Sequence, residues 1–399
     1  MGTVLFLLVG LTAYGVWEFR THQRRLKRIP IRIHVNGTRG KSSVTRLIAA
    51  GLRTGPRQTI AKTTGTTPRL ILEDGSELPI HRAGSANIIE QLMIVNVAES
   101  RGADILVIEC MAVQPHLQWI AEERMIQSTL GVITNARADH LDQMGPTVFN
   151  VAEALANTIP KRSTVYTAER TLLPVIEQRA AAKGSTVVAV DERWVSDDEI
   201  AGFAYVEHKD NVALALAVCA HFGIERAAAL DAMQRAAPDQ GVLQGYRVHF
   251  FAKDVLFYNA FAANDRDSTL MIAKRLGLKN RPDHPVFWIV NNRGDRLQRA
   301  EQFGEMIATD VDAEHVFLVG DFTKATHDIA LRLGYPAHRL SDLGQVGVDV
   351  LFEAIMGRVD RSATILGVGN IGGLGKEIVT FFKNRSDEWS NKPSASASF

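Results

Sequence analysis

Ile31-Arg-Ile-His-Val-Asn-Gly-Thr-Arg-Gly-Lys-Ser-Ser43 decides how the rest of this 399-residue chain is read. Residues 31–35 alternate apolar and polar side chains directly after the breaker Pro30, the pattern of a strand. Beyond Ser43, the residues Val44, Leu47, Ile48, Gly51 and Leu52 recur at helical spacing. Strand, glycine loop, helix is the setting in which a phosphate-binding loop is expected. Gly37 and Gly40 let the backbone wrap so that N–H groups point at phosphate oxygens, and the helix start adds its dipole. The expected nucleotide-binding set is therefore Gly37, Thr38, Arg39, Gly40, Lys41, Ser42 and Ser43. Lys41 would reach the β- and γ-phosphates, and the Ser42 hydroxyl would ligate Mg²⁺. The first glycine usual in such loops is replaced by Val35.

Two further strand ends extend this reading. Asp104-Ile-Leu-Val-Ile-Glu109 is a short apolar run of the buried parallel type, ending in a carboxylate. The carboxyl ends of strands in an open α/β sheet face the ligand crevice, so Glu109 is placed to hold Mg²⁺ opposite the phosphate loop. Cys110 beside it reads as a small buried residue. Gly131-Val-Ile-Thr-Asn135 is a similar strand, running into Ala136-Arg-Ala-Asp-His-Leu-Asp142. Asn, Asp, His and Asp within eight residues are hard to explain by packing. His140 would ligate a second Mg²⁺, with Asp139 and Asp142 orienting it or binding water.

Composition limits the alternatives. With 46% hydrophobic and 22% charged residues, the chain suits two soluble α/β domains rather than a disordered chain or a polytopic membrane protein. Two cysteines cannot make a disulfide framework, which points to a reducing compartment. Residues 1–53 hold ten Lys/Arg and one acid, Glu18, while the whole chain is only +1, so the remainder carries −8. That distribution argues against a nucleic-acid binder. The first 28 residues read as a membrane anchor with a basic juxtamembrane segment. Gly2 to Trp17 are uncharged and mostly apolar, followed by Arg20, Arg24, Arg25, Lys27 and Arg28. Sixteen residues span about 24 Å, and extension to Phe19 with a snorkelling Arg20 nearly covers a ~30 Å hydrocarbon core. Positive charge after the apolar run places the catalytic domains in the cytoplasm, at the cell membrane.

These motifs resemble those of the Mur ligase superfamily: GTRGKSS for its phosphate loop, Glu109 for its metal carboxylate, and the run from Asn135 to Asp142 for its N-x-x-x-D-H-x-D. The segment Glu207–Asn211 is similar to the family's H-N-x-x-N, which puts Asn211 on the residue that meets adenine. Asn259–Ser268 resembles the C-terminal D-Y-A-H-N-P-x-S loop, so Asn259 and Asn264 are carried over as nucleotide contacts. Asn292-Arg-Gly-Asp-Arg296 resembles G-G-D-R. The chain departs from the family at Asn259, where an acid is usual, at Ala263, where a His is usual, and at Ala154, where many members place a carbamoylated lysine. Glu153 is a candidate substitute there. Within the superfamily, the short anchor, Glu-Cys-Met-Ala112, Arg137–Pro146 and Gly369-Asn-Ile-Gly-Gly373 are most similar to the ligase subunit of poly-γ-glutamate (capsule) synthases.

That resemblance implies an ADP-forming ligase in which Lys41, Glu109 and His140 are catalytic, and Ser42, Glu109 and His140 hold metal. Its cofactors would be ATP and Mg²⁺, and its substrates glutamate and a growing poly-γ-glutamate chain rather than a UDP-muramyl peptide. Its partners would be a small polytopic membrane subunit and an extracellular-facing subunit. Two alternatives stay open: a folylpolyglutamate-synthase-like ligase, and a membrane-tethered regulatory ATPase. The expected fold is α/β, with the anchor at 1–28, a P-loop ATPase domain with a mostly parallel sheet at 29–237, a smaller Rossmann-like domain at 238–383 and a disordered tail at 384–399. Gly367-Val-Gly-Asn-Ile-Gly372 matches a dinucleotide fingerprint, but counting on about 20 residues reaches Lys392 in a polar tail rather than an acid on a second strand. It is read as a tight turn. Thr63–Arg69 is a hydroxyl-rich turn that would lie over the phosphates.

Overall fold

The computed structural model describes residues 2–65, 68–82, 86–203, 205, 207–238, 243–262, 265–294 and 297–386. The chain divides into two compact units, Met1–Asp239 and Gln240–Phe399. Ala263, Asn264, Asp295 and Arg296, which the sequence singles out, lie outside the described residues.

The first unit begins with one continuous helix, α1 (Gly2–Arg28), whose side chains are exposed from Thr3 to Arg20. It is long and apolar enough to cross a membrane. Its last two turns are bound to the domain. Leu26 and the following Ile29 enter a core shared with Ile94, Leu106, Ile108 and Ile126. The ends of α1 and of the segment near Ile126 are tied by one side chain. The Arg32 guanidinium donates to the carbonyls of Leu26 (3.0 Å), Ile29 (2.5 Å), Ile126 (3.0 Å) and Gln127 (2.7 Å). Carbonyls at a helix end have no partner within the helix, and Arg32 supplies one.

The eight strands of this unit are β1 (Ile31–Asn36), β2 (Thr59–Thr63), β3 (Arg69–Ile71), β4 (Glu77–Pro79), β5 (Ile105–Glu109), β6 (Leu130–Ile133), β7 (Thr164–Thr167) and β8 (Thr186–Ala189). They form one sheet in the order β4-β3-β2-β5-β1-β6-β7-β8. The six strands from β2 through β8 in that order pair in parallel, and β3 and β4 add antiparallel at one edge. The apolar β1, β5 and β6 sit centrally because helices cover both faces. The helix α2 (Lys41–Leu52) crosses from β1 to β2. Its Gly51 permits a close approach, since a Cβ there would lie 2.5 Å from the Cys219 sulfur of helix Lys209–His221.

The strand expected at residues 31–35 is present as β1, and from Ile33 onward it is buried on both faces, His34 included. His34 is tolerated because its Nδ1 donates to the Glu122 carboxylate at 2.8 Å. Burial opposes its charge, but Cys110 and Glu122 outweigh that and raise it to about 9.

The second unit carries β9 (Gln244–Phe250), β10 (Lys253–Asn259), β11 (Val286–Asn292), β12 (His315–Gly320), β13 (Leu340–Gly344) and β14 (Ser362–Gly369) in the order β13-β12-β11-β14-β10-β9. All pairings are parallel except the β9–β10 hairpin. Phe257, Phe261, Phe287, Phe317 and Phe382 centre its core. Helix Leu374–Arg385 continues through Asn384, where the sequence suggests a tail.

A group whose folded value lies above its ordinary one stabilises below the ordinary value and loses that contribution as pH rises through the folded one. His34 therefore contributes fully below about pH 6.5 and progressively less up to about 9. Denaturant midpoints measured from about pH 6.5 to 9.5 are expected to fall, and to fall less steeply in His34→Gln.

Candidate active site

The residues from Asn36 to Lys41 turn sharply at two glycines. Gly37 has φ 136° and a Cβ there would lie 1.9 Å from the Thr134 hydroxyl; Gly40 has φ 79° and a Cβ there would lie 2.6 Å from Asn211 Oδ1. Both positions combine backbone that only glycine adopts freely with no room for a side chain. Gly40 also leaves the start of α2 without a side-chain cap, so the first amides of that helix are not taken by a capping side chain. The Lys41 ammonium lies back over the loop and donates to the carbonyls of Gly37 (2.7 Å) and Thr38 (3.3 Å).

The loop is held from the side by the segment after β6. Thr38 N–H donates to Asn135 O at 3.0 Å, and the Thr38 hydroxyl donates to Asn135 Oδ1 at 2.6 Å. Arg39 N–H donates to the same oxygen at 3.1 Å, while the Asn135 amide and the Thr134 hydroxyl donate to Arg39 O at 3.1 and 2.6 Å. Asn135 belongs to the polar cluster visible in the sequence, but nothing local marks it as the clamp of the loop. Adjacency of β1 and β6, with Asn36 opposite Ile133, is what brings it there.

Glu109 ends β5 opposite Val35 on β1. Its Oε2 accepts from the Ser42 hydroxyl at 2.8 Å and from Thr64 N–H at 2.7 Å. The hydroxyl-rich turn thus meets the site through a backbone amide at its start; Thr66 and Thr67 lie outside the described residues. A hydroxyl and a carboxylate at this spacing are hard oxygen donors of the kind Mg²⁺ takes beside phosphate oxygens and water. The pair therefore fits that ion. Behind it, the wholly buried Lys62 on β2 lies 2.7 Å from Glu90, its Nζ 3.6 Å from Met111 sulfur. Burial draws Lys62 below the ordinary lysine range, opposed by Glu90. A lysine inside a strand carries no sequence signal that separates it from an exposed one.

His140 stands in the left-handed region at φ 48°, ahead of a single turn Leu141–Met144, with Nε2 3.9 Å from Asp139; Asp139 in turn lies 3.7 Å from Arg39. Among the described residues no three His, Cys, Asp or Glu side chains gather as a metal centre, while the Ser42 hydroxyl and the Glu109 carboxylate meet at 2.8 Å. Glu153 is engaged by Arg179 at 2.6 Å. Asn211 is buried against Gly40, with its amide donating to Glu207 at 2.8 Å. In the second unit, Asn259 ends β10 and its Oδ1 accepts from Phe261 N–H at 3.3 Å. The glycine turn after β14 is closed onto β11: the Asn291 amide donates to Asn370 O at 2.6 Å, and a Cβ on Gly369 would lie 2.4 Å from Asn291 O.

Residues 35–224 match the Mur ligase middle domain, and residues 245–385 match the poly-γ-glutamate synthase CapB C-terminal domain. The chain is 36% identical over 373 residues to the capsule biosynthesis protein CapB of Bacillus anthracis, covering 93% of this chain and 80% of that one. The chain belongs to the CapB poly-γ-glutamate synthase family of Mur ligases. PGA synthase CapB of Bacillus subtilis (strain 168) is 35% identical over 367 residues, 92% of this chain and 93% of its own. Membership makes the chain an ATP-dependent amide ligase. Its fold is that of E. coli FolC in complex with ADP (TM-score 0.68, 15% identity, 92% and 93% of the two chains covered). It is also that of the Yersinia pestis bifunctional folylpolyglutamate synthase/dihydrofolate synthase complexed with AMPPNP and Mn (TM-score 0.67, 14% identity, 91% and 92% covered).

Gly37→Ala places a methyl group on Thr134 in a backbone region hostile to side chains. It is expected to weaken ATP binding at least roughly tenfold, measured by titration with a fluorescent ATP analogue. Asn135→Ala should weaken it by about the same factor while leaving the glycines unstrained.

Proposed function

We propose that the chain polymerises glutamate through γ-linkages at the cytoplasmic face of a membrane, using ATP. The observation that carries the reading is the convergence of the Ser42 hydroxyl and the Glu109 carboxylate at 2.8 Å beside the uncapped start of α2. The family supplies the substrate class. In this reading the phosphate loop, Gly37 to Ser43, binds the phosphates, and Asn211 contacts the nucleotide. Mg²⁺, held by Ser42 and Glu109, supplies charge neutralisation on the phosphates; His140 is proposed to orient a second ion or its water.

A terminal γ-carboxylate oxygen of the growing chain attacks the γ-phosphorus, the bond to the β-phosphate oxygen breaks, and ADP leaves. The acyl phosphate so formed is attacked at carbon by the amine of an incoming glutamate. The amide forms, phosphate departs, and the ammonium proton is released. An anion attacking a polyanion is strongly repelled, and Lys41 leaves its loop carbonyls to offset that charge. A buried, preorganised site strengthens these interactions and keeps water from the acyl phosphate.

Helix α1 supports a membrane location, since its exposed residues 3–20 span about 27 Å. Partners in the membrane, a small polytopic subunit and an extracellular-facing one, would receive the polymer. Membranes carrying the full chain should release ADP in a glutamate-stimulated manner with formation of γ-linked polymer. Lys41→Ala or His140→Ala should lower this by roughly a hundredfold or more without unfolding. ATP turnover indifferent to glutamate would overturn the ligase substrate proposed here. The chain should also resist carbonate extraction from membranes, and Leu7→Arg/Leu8→Arg within α1 should release it.

A further inference from the structure

The buried polar residues of β1, His34 and Asn36, are not solvated; both are hydrogen-bonded by one helix. After Glu109 the chain passes through Cys110–Gln114 and enters helix Pro115–Ile120, which widens into a π-helical turn at Ala121–Ile126. Proline opens this helix, and Gln118 and Glu122 lie one turn apart on the face toward β1. On the strand, Asn36 and His34 are two residues apart and so share a face. The two pairs meet in register: Asn36 Nδ2 donates to Gln118 Oε1 at 2.8 Å, and His34 Nδ1 donates to Glu122 Oε2 at 2.8 Å.

Gln118 has no solvent exposure, and its other end is also used. Its Nε2 donates to Val113 O at 2.7 Å, in the segment that follows Glu109. One side chain therefore bridges the residue before Gly37 and the backbone just past Glu109. Those are the two arms that carry Ser42 and Glu109. Glu122 is fixed in turn by Ser128, whose N–H and hydroxyl donate to it at 2.9 Å each. Asn36 retains a second acceptor, Thr158 Oγ1 at 3.1 Å, so removal of Gln118 does not leave its amide orphaned.

We propose that Gln118 is a positioning residue for the ATP and metal site, setting the separation of the phosphate loop from Glu109, with Glu122 fixing the same helix one turn on. The proposal rests on the reading of that loop as the nucleotide site. Directional hydrogen bonds between buried side chains select one packing of the elements they join, whereas an apolar contact of equal size tolerates sliding.

The test uses the full chain in membranes. Gln118→Met keeps length and removes both hydrogen bonds. It is expected to leave the melting temperature within a few degrees of wild type and the KM for glutamate unchanged. The KM for ATP and the Mg²⁺ concentration giving half-maximal activity should each rise roughly fivefold or more. His34→Leu/Glu122→Leu removes both members of the buried pair but leaves the Ser128 N–H and hydroxyl without their acceptor; where it folds, it should show the same pattern more weakly. A folded Gln118→Met variant with wild-type values for ATP and Mg²⁺ overturns the proposal. If Gln118→Met does not fold, a folded double variant with wild-type values overturns it too, and unfolding of both assigns these side chains to the fold alone and also overturns it. Lys41→Ala is assayed alongside: should it retain ligation, the failure belongs to the nucleotide-site reading.

Discussion

The polar groups of the turn after β1 are satisfied chiefly by a different strand's loop. Thr38 and Arg39 present amides, a hydroxyl and a carbonyl, and it is Thr134 and Asn135, far along the chain, that supply their partners. A buried backbone group without a partner costs about 1–3 kcal/mol, so the turn keeps its shape only while β6 lies beside β1. The rest of the first unit follows from that adjacency. The parallel order places β5 on the other side of β1, which delivers Glu109 to Ser42.

The same strand has a second dependence on its opposite face. His34 and Asn36 would be expensive to bury alone, and a charged imidazole especially so. Their acceptors come from a helix whose position is itself determined by where β5 ends. The segment at the end of this helix then shares Arg32 with the carbonyls of α1. The N-terminal helix, helix Pro115–Ile120 and the glycine loop are thus joined through side chains of one strand, β1. An apolar helix long enough to cross a membrane leads into the domain through a packed and hydrogen-bonded joint.

Much of the candidate site was legible before folding because its chemistry is local. A glycine loop between a strand and a helix, a carboxylate at the end of an apolar run, and Asp-His-Leu-Asp at another strand end are each short-range patterns. Asn135 was visible as part of a cluster but its partner was not, since a clamp between loops depends on strand order. Lys62, Gln118 and Glu122 carried no local mark at all. Each is a polar residue whose burial is decided by a partner far away in the chain.

By itself, the sequence determined where strands and helices run around the glycine loop, which end of each strand bears chemistry, and that an apolar helix precedes a basic segment. Those properties depend on periodicity, steric freedom at glycine and hydrophobic length, which neighbouring residues set among themselves. Only the tertiary structure decided which loops meet and which buried polar groups pair. It also decided that α1 is rooted in the domain through Arg32, Leu26 and Ile29. Those outcomes depend on strand order and register, through which residues remote in the chain satisfy hydrogen bonds that no local segment can.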